Sequence, residues 1–288
     1  MSVANMVDEA DLQFLVDLAD EAGRAIMAIY AQRESLQNAL KADSSPLTAA
    51  DLASNDILIN GLSARWPQVP ILSEENVNAF ADGEQPPLYW AVDPLDGTKE
   101  FIKGNDEFTV NIALVVDGTP QVGVVGAPAL GLMYLGALGD VCGFAVRAEK
   151  RDSKGWTNIR VSGATQAEAT ATGAISLPHT DLCRPLRVAM SRSHPSPELA
   201  DWLKQFASYE GRDIGSSLKF CLVAEGAVDV YPRMGPTCIW DTAAGHALVA
   251  AAGGVVCQPN NSPLTYAEPA KTLNPFFVAW GVGLWTHA

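Results

Sequence analysis

The chain has 288 residues, 48% hydrophobic and 18% charged, the balance of an ordinary globular protein with a sizeable core, and not of a disordered one. That length suits two modest domains or one large sandwich. A formal net charge of −14 opposes a nucleic-acid polymer or an anionic membrane surface as the main partner, because either would repel it. A small anionic substrate stays open, provided that metal ions and local cations offset the acidic field. The cysteines, Cys142, Cys183, Cys221, Cys238 and Cys257, form no Cys-x-x-Cys pair. Neither a disulfide framework nor a structural zinc site is expected, and the reduced thiols of a cytoplasmic protein fit best. The N-terminus has no basic or apolar signal region, and no apolar run reaches the ~18–20 residues of a membrane span. Stable membrane insertion is not expected; a peripheral association with the inner face of the membrane is left open.

From Asp8 to about Gln32, Leu12, Leu15, Ala19, Ala22, Ile26 and Ile29 recur at helical spacing, which predicts a helix with one buried stripe. The polar segment Lys41–Pro46 leads to a second helix from Thr48 to Arg65, stopped by Pro67. Val69–Leu72 and Tyr89–Val92 are short extended runs. Thr109–Val116 and Val122–Val125 read as strands joined by the hairpin chemistry of Asp117-Gly118-Thr119-Pro120. Leu132–Leu138 and Val141–Val146 repeat that pattern around Gly139-Asp140. The charged run Glu149–Lys154 reads as a domain border or surface hairpin, and the Ala/Thr-rich stretch to Thr172 as a weak linker. Beyond it, Leu186–Met190, Ala227–Tyr231 and Val255–Cys257 are extended. Pro197–Phe206, Leu218–Glu225 and Thr242–Ala252 are helical. The alternation predicts an α/β arrangement. The expected division is 1–150, a helix pair on an antiparallel sheet with most of the acids, and 151–288, an α/β unit.

The chemistry begins at Asp93-Pro94-Leu95-Asp96-Gly97-Thr98, where an apolar strand runs into two aspartates. Pro94 holds Asp93 extended and removes a backbone donor, and Gly97 permits a tight turn beside a ligand. Two carboxylates and the Leu95 carbonyl can then converge as oxygen ligands for a hard cation such as Mg²⁺. Taken alone, the segment reads sooner as a surface turn. Glu74-Glu75 follow another apolar run, Asp51 lies early in the second helix, and Asp241 opens the Ala-rich helix. Each has a plain reading: loop acids, a Thr48-x-x-Asp51 capping box, a helix cap. Those readings leave unexplained why every acid ends an apolar segment.

Asp93-Pro-Leu-Asp96-Gly-Thr98, with Glu74-Glu75 upstream and Trp240-Asp241-Thr-Ala-Ala downstream, resembles the two signatures of the inositol monophosphatase superfamily over nearly the whole chain. Gly97-Thr98-Lys99-Glu100-Phe101, Ser191-Arg-Ser-His194, Gly215-Ser-Ser-Leu-Lys-Phe-Cys221 and Tyr231-Pro-Arg-Met-Gly-Pro236 resemble its 3′(2′),5′-bisphosphate nucleotidase branch. The resemblance implies a layered αβαβα sandwich and hydrolysis of the 3′-phosphate of adenosine 3′,5′-bisphosphate by a metal-activated water, with two to three Mg²⁺ ions and sensitivity to Li⁺. It implies Glu74, Asp93, Leu95 (carbonyl), Asp96 and Asp241 as metal ligands. Asp51 and Thr98 would form a hydrogen-bonded pair that, with Glu74, orients and deprotonates the water. Gly97 and Thr98 amides would hold phosphate oxygens. Glu74, Leu95, Asp96 and Asp241 border the same substrate, a small nucleotide. For its second phosphate, Arg192, Ser216, Ser217, Lys219 and Arg233 are the candidates. His194 and His246 are read as structural or peripheral. Oligomeric state is not legible. The alternatives are an inositol or sugar phosphatase, and an aspartyl-phosphate phosphatase, whose Asp-x-Asp spacing is one residue shorter. A third, from another class, is a non-catalytic ion- or nucleotide-binding module.

Overall fold

The computed structural model describes residues 6–32, 45–80, 83–139, 145–162, 184–192 and 196–281. The Ala/Thr stretch, His194, Cys142 and Cys183, with most of Lys41–Pro46 and Val141–Val146, lie outside them. Helix α1, Glu9–Tyr30, starts where the Asp8 side chain accepts from Asp11 N at 2.8 Å and Asp11 Oδ2 accepts from Asp8 N at 2.9 Å, a reciprocal cap. Helix α2, Ser45–Arg65, begins three residues earlier than expected. Asp51 therefore stands in the second turn, too far in to cap.

The first sheet has seven strands in chain order: β1 (Ile71–Ser73), β2 (Leu88–Asp96), β3 (Thr109–Val116), β4 (Thr119–Ala127), β5 (Leu132–Ala137), β6 (Arg147–Asp152) and β7 (Gly155–Asn158). Only the β1–β2 pair is parallel. Every residue of β3 is buried because helices cover both faces of the sheet. Leu12, Leu15, Ile26, Leu58 and Leu62 of α1 and α2 pack on Trp90, Val92, Ile112 and Val124. A short helix, α3 (Thr98–Lys103), follows β2. β5 pairs with β6, which holds most of the charged run; the expected partner Val141–Val146 lies mostly outside the described residues. Four charges of β6 are paired: Arg147 meets Glu9 and Glu149, Arg151 meets Asp20 at 2.6 Å, and Lys150 meets Glu225 at 2.7 Å. Residue 150 lies inside β6, and the first sheet continues to Asn158.

The second half supplies a five-stranded sheet in the order β11-β12-β10-β8-β9. Its strands are β8 (Leu186–Ser191), β9 (Tyr209–Ile214), β10 (Val230–Arg233), β11 (Val255–Cys257) and β12 (Phe277–Trp280); its helices are α4 (Pro197–Leu203), α5 (Leu218–Ala224) and α6 (Ile239–Ala251). β9 and β12 have no counterpart in the sequence expectations. α5 and α6 lie between the two sheets, packing on both. That position explains why α6 is apolar all round. Leu199 and Leu203 of α4 cover the outer face through Val188 and Trp280. The result is a layered αβαβα sandwich: α1 and α2, first sheet, α5 and α6, second sheet, α4.

Candidate active site

Strand alternation aims Tyr89 and Ala91 at the inner helix layer and Trp90 and Val92 at α1 and α2. Asp93 continues the inner set, opposite Asn111 of β3, but the next matched pair is Asp96 with Thr109. One extra residue is thus accommodated between the aspartates, a β-bulge. In a regular strand, residues three apart face opposite ways; the bulge brings Asp93 and Asp96 to the same side. Leu95 falls to the α1–α2 core, fully buried. Pro94 offers no donor to the ladder, so the irregularity sacrifices no hydrogen bond there. Ser54 Oγ of α2 donates to the Pro94 carbonyl at 2.7 Å, and Asp93 Oδ1 accepts from Leu95 N at 3.0 Å, fixing the kink from both sides.

Glu74 follows β1 and donates its N–H to the Val92 carbonyl, which sets it beside Asp93 at the parallel strand ends. Asp241 arrives from the inner layer in the first turn of α6, its Oδ2 accepting from Cys238 N at 2.8 Å. The capping role holds, and the same carboxyl faces the other acids. Burial holds the Asp93 carboxyl well above the usual range, reinforced by Asp96, Glu74, Asp241 and Asp51. Burial and the Asp96 charge also raise Glu74, and they push Asp241 up to about 7. Burial, with Glu75 and Glu74, pushes Asp51 up to about 8.

Asp93 Oδ2 and Asp51 Oδ1 are buried with no hydrogen-bond partner. Among the described residues no three acid, histidine or cysteine side chains stand at the spacing of one ion's coordination shell; the acids face a common region without closing on one point. Orphaned buried carboxylate oxygens, mutual repulsion and an all-oxygen donor set nonetheless fit a hard divalent cation. Thr98 lies at the start of α3, which packs on α2. The expected bond between Asp51 and Thr98 is not among those formed by the described residues.

A cavity of about 250 Å³ adjoins the acids and is lined by Asp96, Gly97, Thr98, Ser216, Ser217, Lys219, Arg233 and Asp241, among others. Cations and carboxylates from both halves of the chain therefore meet in one hollow. Lys219 is buried, donates to the Ser216 carbonyl at 2.6 Å and lies 5.4 Å from the centre of the Tyr231 ring. Burial lowers its ammonium to about 8. Arg233 Nη2 donates to the Pro236 carbonyl at 2.8 Å, while its Nε is buried without a partner. Ser217 has its hydroxyl on Asp96 Oδ2 at 2.8 Å and near the Asp241 carbonyl at 3.0 Å, and accepts from Asn111 Nδ2 at 2.9 Å. It holds the acids in place. Arg192 does not line the cavity; it is exposed and paired with Glu107.

Ser54, Asn111 and Glu107 escaped the sequence reading, and Tyr231 was read there only as part of a motif. Asn111 carries a signal, a lone amide in the apolar run Thr109–Val116. Ser54 carries another, three residues beyond Asp51 on one helix face. His246 is structural: its Nδ1 meets the Tyr266 hydroxyl at 3.1 Å, and burial lowers its pKa to about 4.

A layered sandwich with acids at two strand ends and a helix start, opening on a cation-lined hollow, defines the class of metal-dependent phosphatases. The chain belongs to the inositol monophosphatase family, whose pattern matches residues 8–275. It is 43% identical over 270 residues to the 3′(2′),5′-bisphosphate nucleotidase CysQ of Salmonella typhimurium, spanning 92% of this chain and 98% of that one. It is 42% identical over 260 residues to the protein of the same name from Buchnera aphidicola, with 90% and 89% covered. Among solved structures, CysQ from Bacteroides thetaiotaomicron matches with a TM-score of 0.72 and 37% identity over 95% of this chain and 97% of that one.

Proposed function

We propose that this chain is a 3′(2′),5′-bisphosphate nucleotidase that hydrolyses the 3′-phosphate of adenosine 3′,5′-bisphosphate to AMP and phosphate, with two to three Mg²⁺ ions. The observation that carries it is the hollow itself: the half-buried acids Asp96 and Asp241 meet buried Lys219 and half-buried Arg233 there, as a substrate with two phosphates requires. Glu74, Asp93, the Leu95 carbonyl, Asp96 and Asp241 would hold the ions. Bound there, Mg²⁺ supplies Lewis-acid activation of water and neutralises charge on the departing ribose oxygen. Thr98 and Asp51, with Glu74, would orient the attacking water and take its proton. The amides of Gly97 and Thr98 hold the scissile phosphate at the start of α3. Lys219, Arg233 and Ser216 face the second phosphate across the hollow. In this division, residues 1–150 supply most metal ligands, and 151–288 supply Asp241 and the nucleotide contacts.

A cytoplasmic location agrees with the free thiols of Cys221, Cys238 and Cys257. Among the described residues no helix is long and apolar enough to cross a membrane, and nothing in them supports the peripheral association left open above. The test is phosphate release from adenosine 3′,5′-bisphosphate beside inositol 1-phosphate, with Mg²⁺, with chelator, and with millimolar Li⁺. Preference for the nucleotide, loss in chelator and inhibition by Li⁺ are expected. Equal or better turnover of inositol 1-phosphate would move the chain to the inositol phosphatase branch.

A further inference from the structure

The Gly215–Ser217 loop joins β9 to α5 and abuts the Asp96–Thr98 turn, although the two come from opposite halves of the chain. A Cβ on Gly97 would lie 3.2 Å from Ser216 Cβ and 3.1 Å from the Glu107 carbonyl; a Cβ on Gly215 would lie 2.8 Å from that same carbonyl. Glu107 therefore backs both elements. Its Oε2 also accepts from Gly215 N at 2.8 Å. Arg192 grips the carboxylate as a fork, Nε to Oε2 and Nη2 to Oε1, both at 2.8 Å, and Nη2 reaches the Asp213 carbonyl at 2.7 Å. Two parallel charge-assisted bonds define an orientation that a single contact does not. The loop needs such a hold, because Ser216 sits at φ 46°, where a non-glycine residue is disfavoured. Ser217 and Lys219 follow directly, one on Asp96 and the other in the hollow.

We propose that Glu107 and Arg192 form a positioning strut, which sets Ser216, Ser217 and Lys219 at a fixed distance from the phosphate turn. Arg192 then acts through Glu107 and not by touching substrate. The kinetic arm of the test rests on the nucleotidase reading; an amide-exchange arm does not.

The experiment compares the full chain with E107A, E107Q, R192A and the E107A/R192A double variant. E107A and R192A are each expected to raise KM for adenosine 3′,5′-bisphosphate about tenfold with kcat changed less than about threefold. Adenosine 3′-monophosphate, lacking the second phosphate, should respond less. The double variant should be no worse than the poorer single one, since both break the same unit. E107Q retains an acceptor for Gly215 N and should recover part of the loss; it and R192A carry the test should E107A fail to fold. Exchange of the Gly215 amide should quicken about tenfold in E107A while β2 amides keep their protection.

A raised KM in R192A with E107A neutral would overturn the proposal in favour of direct substrate contact. Kinetic silence in both would reduce the pair to a surface ion pair. Should the wild type fail on the bisphosphate, the function reading falls alone, and unchanged Gly215 exchange in E107A would overturn the strut.

Discussion

The acids around Asp93 should destabilise the fold when no divalent ion is supplied, and replacing Asp241 with Asn should relieve that burden. Asp241 is pushed from its usual 3.8 up to about 7, first by burial and then by Asp96. At about 1.4 kcal/mol per pH unit, ionising it in the folded state at pH 8 is unfavourable by roughly 4 kcal/mol. Neighbouring acids relax when one is neutralised, and an Asn oxygen still accepts from Cys238 N. D241N should therefore gain about 2–4 kcal/mol over wild type at pH 8 in chelator. That is a melting rise of roughly 5 °C or more for a chain of this size. The sign follows from a folded-state pKa raised above the unfolded one. The stability is fully present below about pH 4 and is lost as pH climbs through about 7, so the advantage of D241N should vanish at pH 4 and grow towards pH 8. Urea unfolding of both proteins across that range, in chelator and then in Mg²⁺, measures it. Mg²⁺ should stabilise the wild type and do little for D241N, which should also lose orders of magnitude in turnover. A variant less stable than wild type at pH 8 in chelator, or a difference independent of pH, would refute the reasoning.

Two further outcomes test other parts of the structure. Asp229 is fully buried and accepts from Arg184 and Arg187. Burial pushes its carboxyl up, but those guanidiniums prevail and hold it at about 2; its contribution is present above about pH 4 and is lost as pH falls towards 2. D229N should cost about 3–5 kcal/mol in denaturant unfolding while the folded fraction keeps its kcat. Gly97 stands at φ 94°, so G97A should cost about 1–2 kcal/mol from the backbone alone. The displaced turn should lower kcat about a hundredfold; wild-type turnover in G97A would contradict the tight packing against Glu107 and Ser216.

Much of the fold was legible because its signals are local. The stripe of α1 and the Asp117-Gly118 hairpin, with φ of 47° and 74°, announce themselves by spacing and turn chemistry. β6 did not, because Arg147, Lys150 and Arg151 find partners on α1 and just past the end of α5, 75 or more residues away in sequence. Tertiary pairing overrides a poor strand composition there. The start of α2 was missed for a related reason, since Thr48-x-x-Asp51 imitates a cap. At the site, the acids were found by their position at the ends of apolar runs. The roles of Ser54, Asn111 and Glu107 were hidden, because a polar residue that steadies another shows itself only once the chain folds. Arg192 sits in a nucleotidase-like segment, yet a motif gives no direction for a side chain, and this one turns to Glu107.

The parity restored within β2 makes reactivity here a matter of counting. Keeping Pro94 and Leu95 while pairing regularly with β3 would turn Asp96 towards the α1–α2 side, whereas excising one of them would straighten the strand and leave both aspartates facing the same way. The side that Asp96 faces is set by whether the residues between it and Asp93 are absorbed as a bulge or paired in register.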